Sequence, residues 1–237
     1  MVWHPVDTTG ECLRENVRYN SGDSENSAVH YEELSCLYPT LGKTYFDWEY
    51  KTEYIYKVWE VMDANPWIPF VACGLYVVAI FGGQAYMKDK PAWNWRKTLA
   101  AWNLLLSVFS FIGVIRTMPQ VLHNFYYYDV RDNVCESPYV MVGVGPVANW
   151  GFWFLLSKFA ELVDTFFIVI HKKKLLFLHW YHHITVLYCC WHTWVNETPT
   201  GIIFCAINFG VHAIMYFYYF LMAVHMKPKV SCSSSSF

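Results

Sequence analysis

Five long apolar runs, at roughly 66–87, 98–115, 147–170, 175–195 and 202–225, constrain this chain more than any other feature. Each holds about the 20 residues that a helix rising ~1.5 Å per residue needs to cross ~30 Å of hydrocarbon. Alternating strand patterns are not evident, so the runs predict five transmembrane helices in an all-α, polytopic integral membrane protein. Composition argues against the alternative, five buried helices of a soluble protein. Charged residues are 15% of the 237, where soluble domains carry about 25%. A net charge of −2 provides no basic field for nucleic acid. The 8 cysteines form no CxxC pattern, so neither a zinc ribbon nor a dense disulfide scaffold is indicated.

The acidic residues concentrate before the first run. Residues 1–65 therefore read as a polar N-terminal tail, without the apolar core of a signal peptide. Within it, 44–62 is aromatic and charged; it fits either an amphipathic helix on the membrane surface or a helix packed on its own protein. The membrane domain is expected over 66–226, followed by a short Ser-rich tail at 227–237. Lys88, Lys90, Arg96, Lys97, Lys172, Lys173, Lys174, Lys227 and Lys229 follow the odd-numbered spans, whereas the connections after the second and fourth spans offer Arg131, with Arg116 at a helix end. The positive-inside rule then puts the lysines in the cytosol and the tail on the opposite, lumenal side. The sequon at Asn196 falls there too, so close to the bilayer that glycosylation is not expected.

Three polar clusters interrupt the apolar runs. In the third run Lys158, Glu161 and Asp164 recur at three-residue steps and so lie on one helix face. A charge at the bilayer centre costs about 2.5–3.5 kcal/mol, so three of them need partners or a task. A self-neutralising Lys–Glu pair would explain two of the three and leave Asp164. The fourth run opens with His179, His182 and His183, three imidazoles within one turn. An imidazole serves as ligand, base or nucleophile near neutral pH. In the fifth, Asn208, His212 and Tyr216 form a stripe at i, i+4 and i+8, a pattern that can also simply glue helices by hydrogen bonds. Counting helical rise from the lysines puts Asp164 and His182 roughly 10–15 Å deep, and His212 and Lys158 roughly 20–25 Å. Three helices thus offer ionisable groups to one zone, which marks an intramembrane functional site.

These motifs, KxxExxDT at 158–165, HxxHH at 179–183 and NxxxHxxMYxYY at 208–219, resemble those of the ELO family of very-long-chain fatty acid elongases, in order and in separation. The stretch LHWYHHITVL at 178–187 looks most like the branch acting on saturated and monounsaturated acyl-CoAs. The resemblance implies a seven-helix fold around a closed acyl tunnel in the endoplasmic reticulum membrane. It implies a 3-oxoacyl-CoA synthase, an acyltransferase that condenses acyl-CoA with malonyl-CoA and releases CO2 and CoA. No cofactor or metal is expected. Expected partners are the two substrates, membrane lipid, the other enzymes of the elongation cycle and a second copy of the chain. By resemblance His182 is the nucleophile, His179 and His183 orient it or bind the thioester, and His212 acts as base or enolate stabiliser. Asn208 and Tyr216 would hydrogen-bond carbonyls, Glu161 and Asp164 would set histidine tautomers, Lys158 would neutralise them, and Lys172–Lys174 would meet CoA phosphates.

The sequence departs from the family after its fifth run, where two further helices are expected. The chain as written is therefore expected to be inactive or unstable unless another chain completes it, with Cys135 lacking a disulfide partner. Competing readings are an inactive or partner-dependent elongase-like subunit, a proton-coupled transporter, and a di-iron desaturase or hydroxylase. The last is disfavoured because the sequence has one histidine box where such sites use several.

Overall fold

A computed structural model describes residues 12–18, 27–143 and 145–224. The Ser-rich tail expected at 227–237 lies outside the described residues. The rest is predominantly helical, as the apolar runs require. A hairpin of β1 (Leu13–Arg18) and β2 (Ser27–Glu32) pairs antiparallel, from Leu13 opposite Glu32 to Arg18 opposite Ser27. The long helices are α1 (Glu53–Ala64), α2 (Ile68–Met87), α3 (Arg96–Tyr127), α4 (Pro146–Glu161), α5 (Val163–Ile170), α6 (Phe177–Val195) and α7 (Gly201–Ala223).

Of the five expected spans, α2, α3 and α7 are long and apolar enough to cross a membrane. The third expected span divides at Leu162 into α4 and α5, and the fourth, α6, is made more polar by its histidines. The division at Leu162 is a tightened turn: the amides of Leu162 and Thr165 each bond a carbonyl three residues back.

The segment read as a polar tail is substantially folded where it is described. Cys12 and Cys36 form a disulfide that ties the hairpin to the following turn. A 3-10 turn, Asp47–Tyr50, leads into α1. Ile55 and Met62 of α1 join Trp150, Phe154, Leu155, Trp191 and Phe209 in the buried core. Trp59 Nε1 donates to Val195 O at 3.2 Å. Of the two readings of 44–62, packing on its own protein is therefore the one observed.

A buried ion pair pins this segment to the bundle. Glu49, with no exposed surface, accepts Arg116 Nε at 2.7 Å and Trp150 Nε1 at 2.6 Å through Oε1, and Phe46 N at 2.7 Å through Oε2. Arg116 spends its remaining donors on Thr44, with Nη2 to O at 2.5 Å and Nη1 to Oγ1 at 3.0 Å. Asn149 closes the cluster, donating to Glu49 O at 3.0 Å and accepting from Tyr54 Oη at 2.6 Å. The guanidinium also lies 4.6 Å from the ring centroid of Tyr45, whose phenol burial pushes up to about 12.

At the opposite end, basic side chains cap helix C-termini, where carbonyls lack partners. Arg96 Nε donates to Ala223 O at 2.6 Å, closing α7 against the start of α3. Lys172 Nζ reaches Lys88 O and Lys90 O, both at 2.9 Å. Between the two ends α3 and α7 pack closely enough that a Cβ on Gly113 would lie 2.6 Å from the Phe209 ring. Ser107 Oγ bridges the same pair, donating to Ala213 O at 2.9 Å.

Candidate active site

The polar clusters of α4, α5, α6 and α7 converge. Lys158, only 3% exposed, donates to Glu161 Oε1 at 2.6 Å and to Asn208 Oδ1 at 3.0 Å. Its ammonium lies 4.2 Å from the ring centroid of Phe154. Glu161 Oε1 also accepts Ser157 Oγ at 3.1 Å and stands 3.5 Å from His212 Nδ1. The three-residue steps read from the sequence thus deliver an ion pair. They deliver it to α7 as well, because Asn208 and His212 face the same carboxylate side of α4.

Asp164 belongs to a second network. The tightened turn at Leu162 reorients it, so that it accepts Tyr216 Oη at 2.5 Å and Trp102 Nε1 at 2.6 Å. Both bonds are charge-assisted when the carboxyl is ionised. No histidine is among the observed hydrogen-bond partners of Asp164. Across these two networks the carboxylate beside a histidine is that of Glu161, 3.5 Å from His212 Nδ1.

The histidine box follows from α6. The rings of His179 and His183 are edge-on at 4.6 Å between centroids, and those of His182 and His183 at 5.9 Å. His183 is buried, whereas His182 stands on the exposed flank of the helix. The box is tied to α5 through His179 and Thr165, and α5 to α7 through the adjacent Asp164 and Tyr216. Nε2 of His179 lies 2.9 Å from Thr165 Oγ1, which in turn lies 2.7 Å from Tyr76 Oη.

Two site residues lay beyond sequence reasoning. Trp102 and Tyr76 come from helices α3 and α2, whose sequences carry no charged interruption near them; one aromatic among many gives no signal. Thr165 stood inside a quoted motif without a role. Of the basic residues expected to meet CoA, Lys172 is committed to capping, and Lys173 and Lys174 are exposed. Among the described residues no three His, Cys, Asp or Glu side chains are grouped to hold a metal ion.

Beyond Phe154, away from the lysine-rich end, an apolar cavity of about 350 Å³ opens between α1, α4, α6 and α7. Trp59, Gly151, Leu155, Cys190 and Cys205 are among the residues that line it. An ionisable network thus adjoins an apolar cavity, the combination of apolar lining and a few polar groups found in small-molecule sites.

The model of the ELO (GNS1/SUR4) family matches residues 61–235, a span that contains the ionisable network and the histidine box. The chain belongs to the ELO family. The chain is also similar to curated proteins. It is 42% identical over 165 residues to Very long chain fatty acid elongase 6 of Drosophila melanogaster, covering 68% of this chain and 51% of that protein. It is 42% identical over 159 residues to Very long chain fatty acid elongase 6 of Gallus gallus, covering 67% and 59%. It is 36% identical over 171 residues to Very long chain fatty acid elongase 4 of Trypanosoma cruzi, covering 72% and 60%. The chain thus spans about half to three fifths of the length of these ELO relatives. The ELO match begins after Glu49, so most of the segment preceding the membrane helices lies outside it.

Proposed function

We propose that this chain carries the condensing site of a 3-oxoacyl-CoA synthase in the endoplasmic reticulum membrane. The observation that carries the reading is the meeting of a histidine box with a buried Lys–Glu–His network beside an apolar cavity. A neutral imidazole nitrogen of His182 attacks the thioester carbonyl of an acyl-CoA. The C–S bond breaks and CoA leaves as its thiol, taking up the proton that the acylated imidazole gives up. Malonyl-CoA then loses CO2, and its enolate carbon attacks the acyl-imidazole. A C–C bond forms, the C–N bond breaks, and the departing imidazole nitrogen takes up one proton from solvent, which regenerates neutral His182 and releases 3-oxoacyl-CoA. His212, 3.5 Å from Glu161, and the Lys158 ammonium place positive character where the enolate oxygen develops charge, inside low-dielectric surroundings that strengthen it. His183 supports the box from its buried position, and Asn208 and Tyr216 hold the two networks to α7.

The apolar cavity suits the tail of an acyl chain, and the LHWYHHITVL stretch favours saturated and monounsaturated chains. Basic residues at one end and the Cys12–Cys36 disulfide at the other agree with a cytosolic and a lumenal face, because disulfides persist in the oxidising lumen. Enzymes of the later elongation steps and a second copy of the chain are proposed partners.

The test uses elongase-deficient membranes supplied with labelled malonyl-CoA and acyl-CoAs of several lengths. The chain is assayed alone and fused to the region of the Gallus gallus relative that follows its match. Labelled 3-oxoacyl-CoA from either form is the expected result, and from the fusion alone if two further helices are required. No product from either form with any acyl-CoA overturns the reading.

A further inference from the structure

The hydrogen-bond chain from Tyr76 through Thr165 to His179 takes no part in the condensation steps above, and its direction follows from which atoms have somewhere to donate. Tyr76 is 6% exposed and Thr165 is fully buried, so each hydroxyl hydrogen must find an acceptor inside the protein. The acceptor within reach of Tyr76 Oη is Thr165 Oγ1, at 2.7 Å. Thr165 then accepts from Tyr76 and has its own hydrogen to place. Thr117 Oγ1 and Ser157 Oγ, also on helices here, donate back to carbonyls of their own turn, Gly113 O at 2.8 Å and Phe154 O at 2.7 Å. Thr165 makes no such backbone bond among the described contacts, because the turn behind it is tightened at Leu162. Its hydrogen therefore goes to His179 Nε2, at 2.9 Å.

An imidazole nitrogen that accepts a hydrogen bond carries no proton, so the proton of neutral His179 sits on Nδ1. We infer that Tyr76 and Thr165 are positioning residues that lock His179 as its neutral Nδ1–H tautomer. Nε2 is thereby withdrawn from nucleophilic or base chemistry, and His179 presents a fixed N–H donor within the box. Of the three histidines in the motif, the first is set as a donor by Thr165 of α5, itself oriented by Tyr76 of α2. The role of that donor in condensation rests on the function proposed above; the tautomer does not.

The experiment is 15N NMR of the histidine-labelled full chain in lipid nanodiscs, with His179 assigned by loss of its signals in His179→Gln. The expected spectrum has a protonated Nδ1 and an unprotonated Nε2. Thr165→Val removes the donor, and the ratio of the two tautomers is expected to shift about tenfold toward Nε2–H, the scale set by one net hydrogen bond. Thr165→Ser keeps the hydroxyl and restores the ratio. Tyr76→Phe with Thr165→Val leaves no orphaned hydroxyl, so a shift in that double variant reports the tautomer and not misfolding. A wild-type proton on Nε2, or an unchanged ratio in folded Thr165→Val and in the double variant, overturns the inference. In the elongation assay Thr165→Val should lower kcat about tenfold with KM little changed. If the NMR result holds while no form elongates, the condensation reading fails and the tautomer assignment stands.

Discussion

Glu49→Ala is expected to destabilise the protein by about 3–5 kcal/mol, the range for breaking a buried ion pair from one side. The carboxylate has no exposed surface and holds three donors: the Arg116 guanidinium, the Trp150 indole and the Phe46 amide. Removing it leaves a charged guanidinium buried with Thr44 as its remaining hydrogen-bond partner. It also removes the side-chain bonds from the segment before α1 to Arg116 of α3 and Trp150 of α4, leaving Thr44 and the backbone acceptors of Asn149 to hold the junction. Thermal unfolding in detergent, followed by tryptophan fluorescence, measures the loss. The double variant Glu49→Ala with Arg116→Met should recover much of it, because no uncompensated charge is left. A single-variant cost under about 1 kcal/mol would show that water reaches the pair, since exposed pairs are worth that little.

His182→Ala is expected to lower elongation by about 10³-fold or more while leaving the fold intact. The first part follows from removing the atom that carries the acyl group; loss of a covalent nucleophile is not compensated by its neighbours. The second follows from position. His182 stands on the exposed flank of α6 and truncation there costs within about 0.5 kcal/mol, whereas His183 is buried against His179 and Tyr76. His183→Ala should therefore lower both stability and activity. Elongation rate and unfolding midpoint, measured on the same preparations, separate the two. Activity of His182→Ala within tenfold of wild type would remove it as the nucleophile.

The sequence made the site more legible than the fold around it. Lys158, Glu161, His212 and the histidine box were readable because an ionisable group in an apolar run is costly and so informative. Their convergence followed from helical depth counting alone. The same reasoning could not see Trp102 and Tyr76, because an aromatic residue in an apolar helix costs nothing and so carries no signal. The family resemblance implied that Asp164 sets a histidine tautomer; its hydrogen-bond partners here are Trp102 and Tyr216. Asp164 follows the tightened turn at Leu162, which has no Gly or Pro to mark it in the sequence. The folded segment before α1 was illegible for the opposite reason. Its strands are short and polar, and its order comes from long-range partners: the Cys12–Cys36 bridge and the Glu49–Arg116 pair. Neither follows from local propensity.

The most direct test of a histidine-centred condensing site is the acyl-transfer half-reaction. Purified chain is mixed with labelled acyl-CoA in the absence of malonyl-CoA, and free CoA is followed in time. The account predicts a burst of about one CoA per active site, with the acyl mass found on the peptide that carries His182 and absent from His182→Ala. CoA release that waits for malonyl-CoA, with no acyl adduct on any histidine, would contradict it and point to direct attack of the enolate on the thioester.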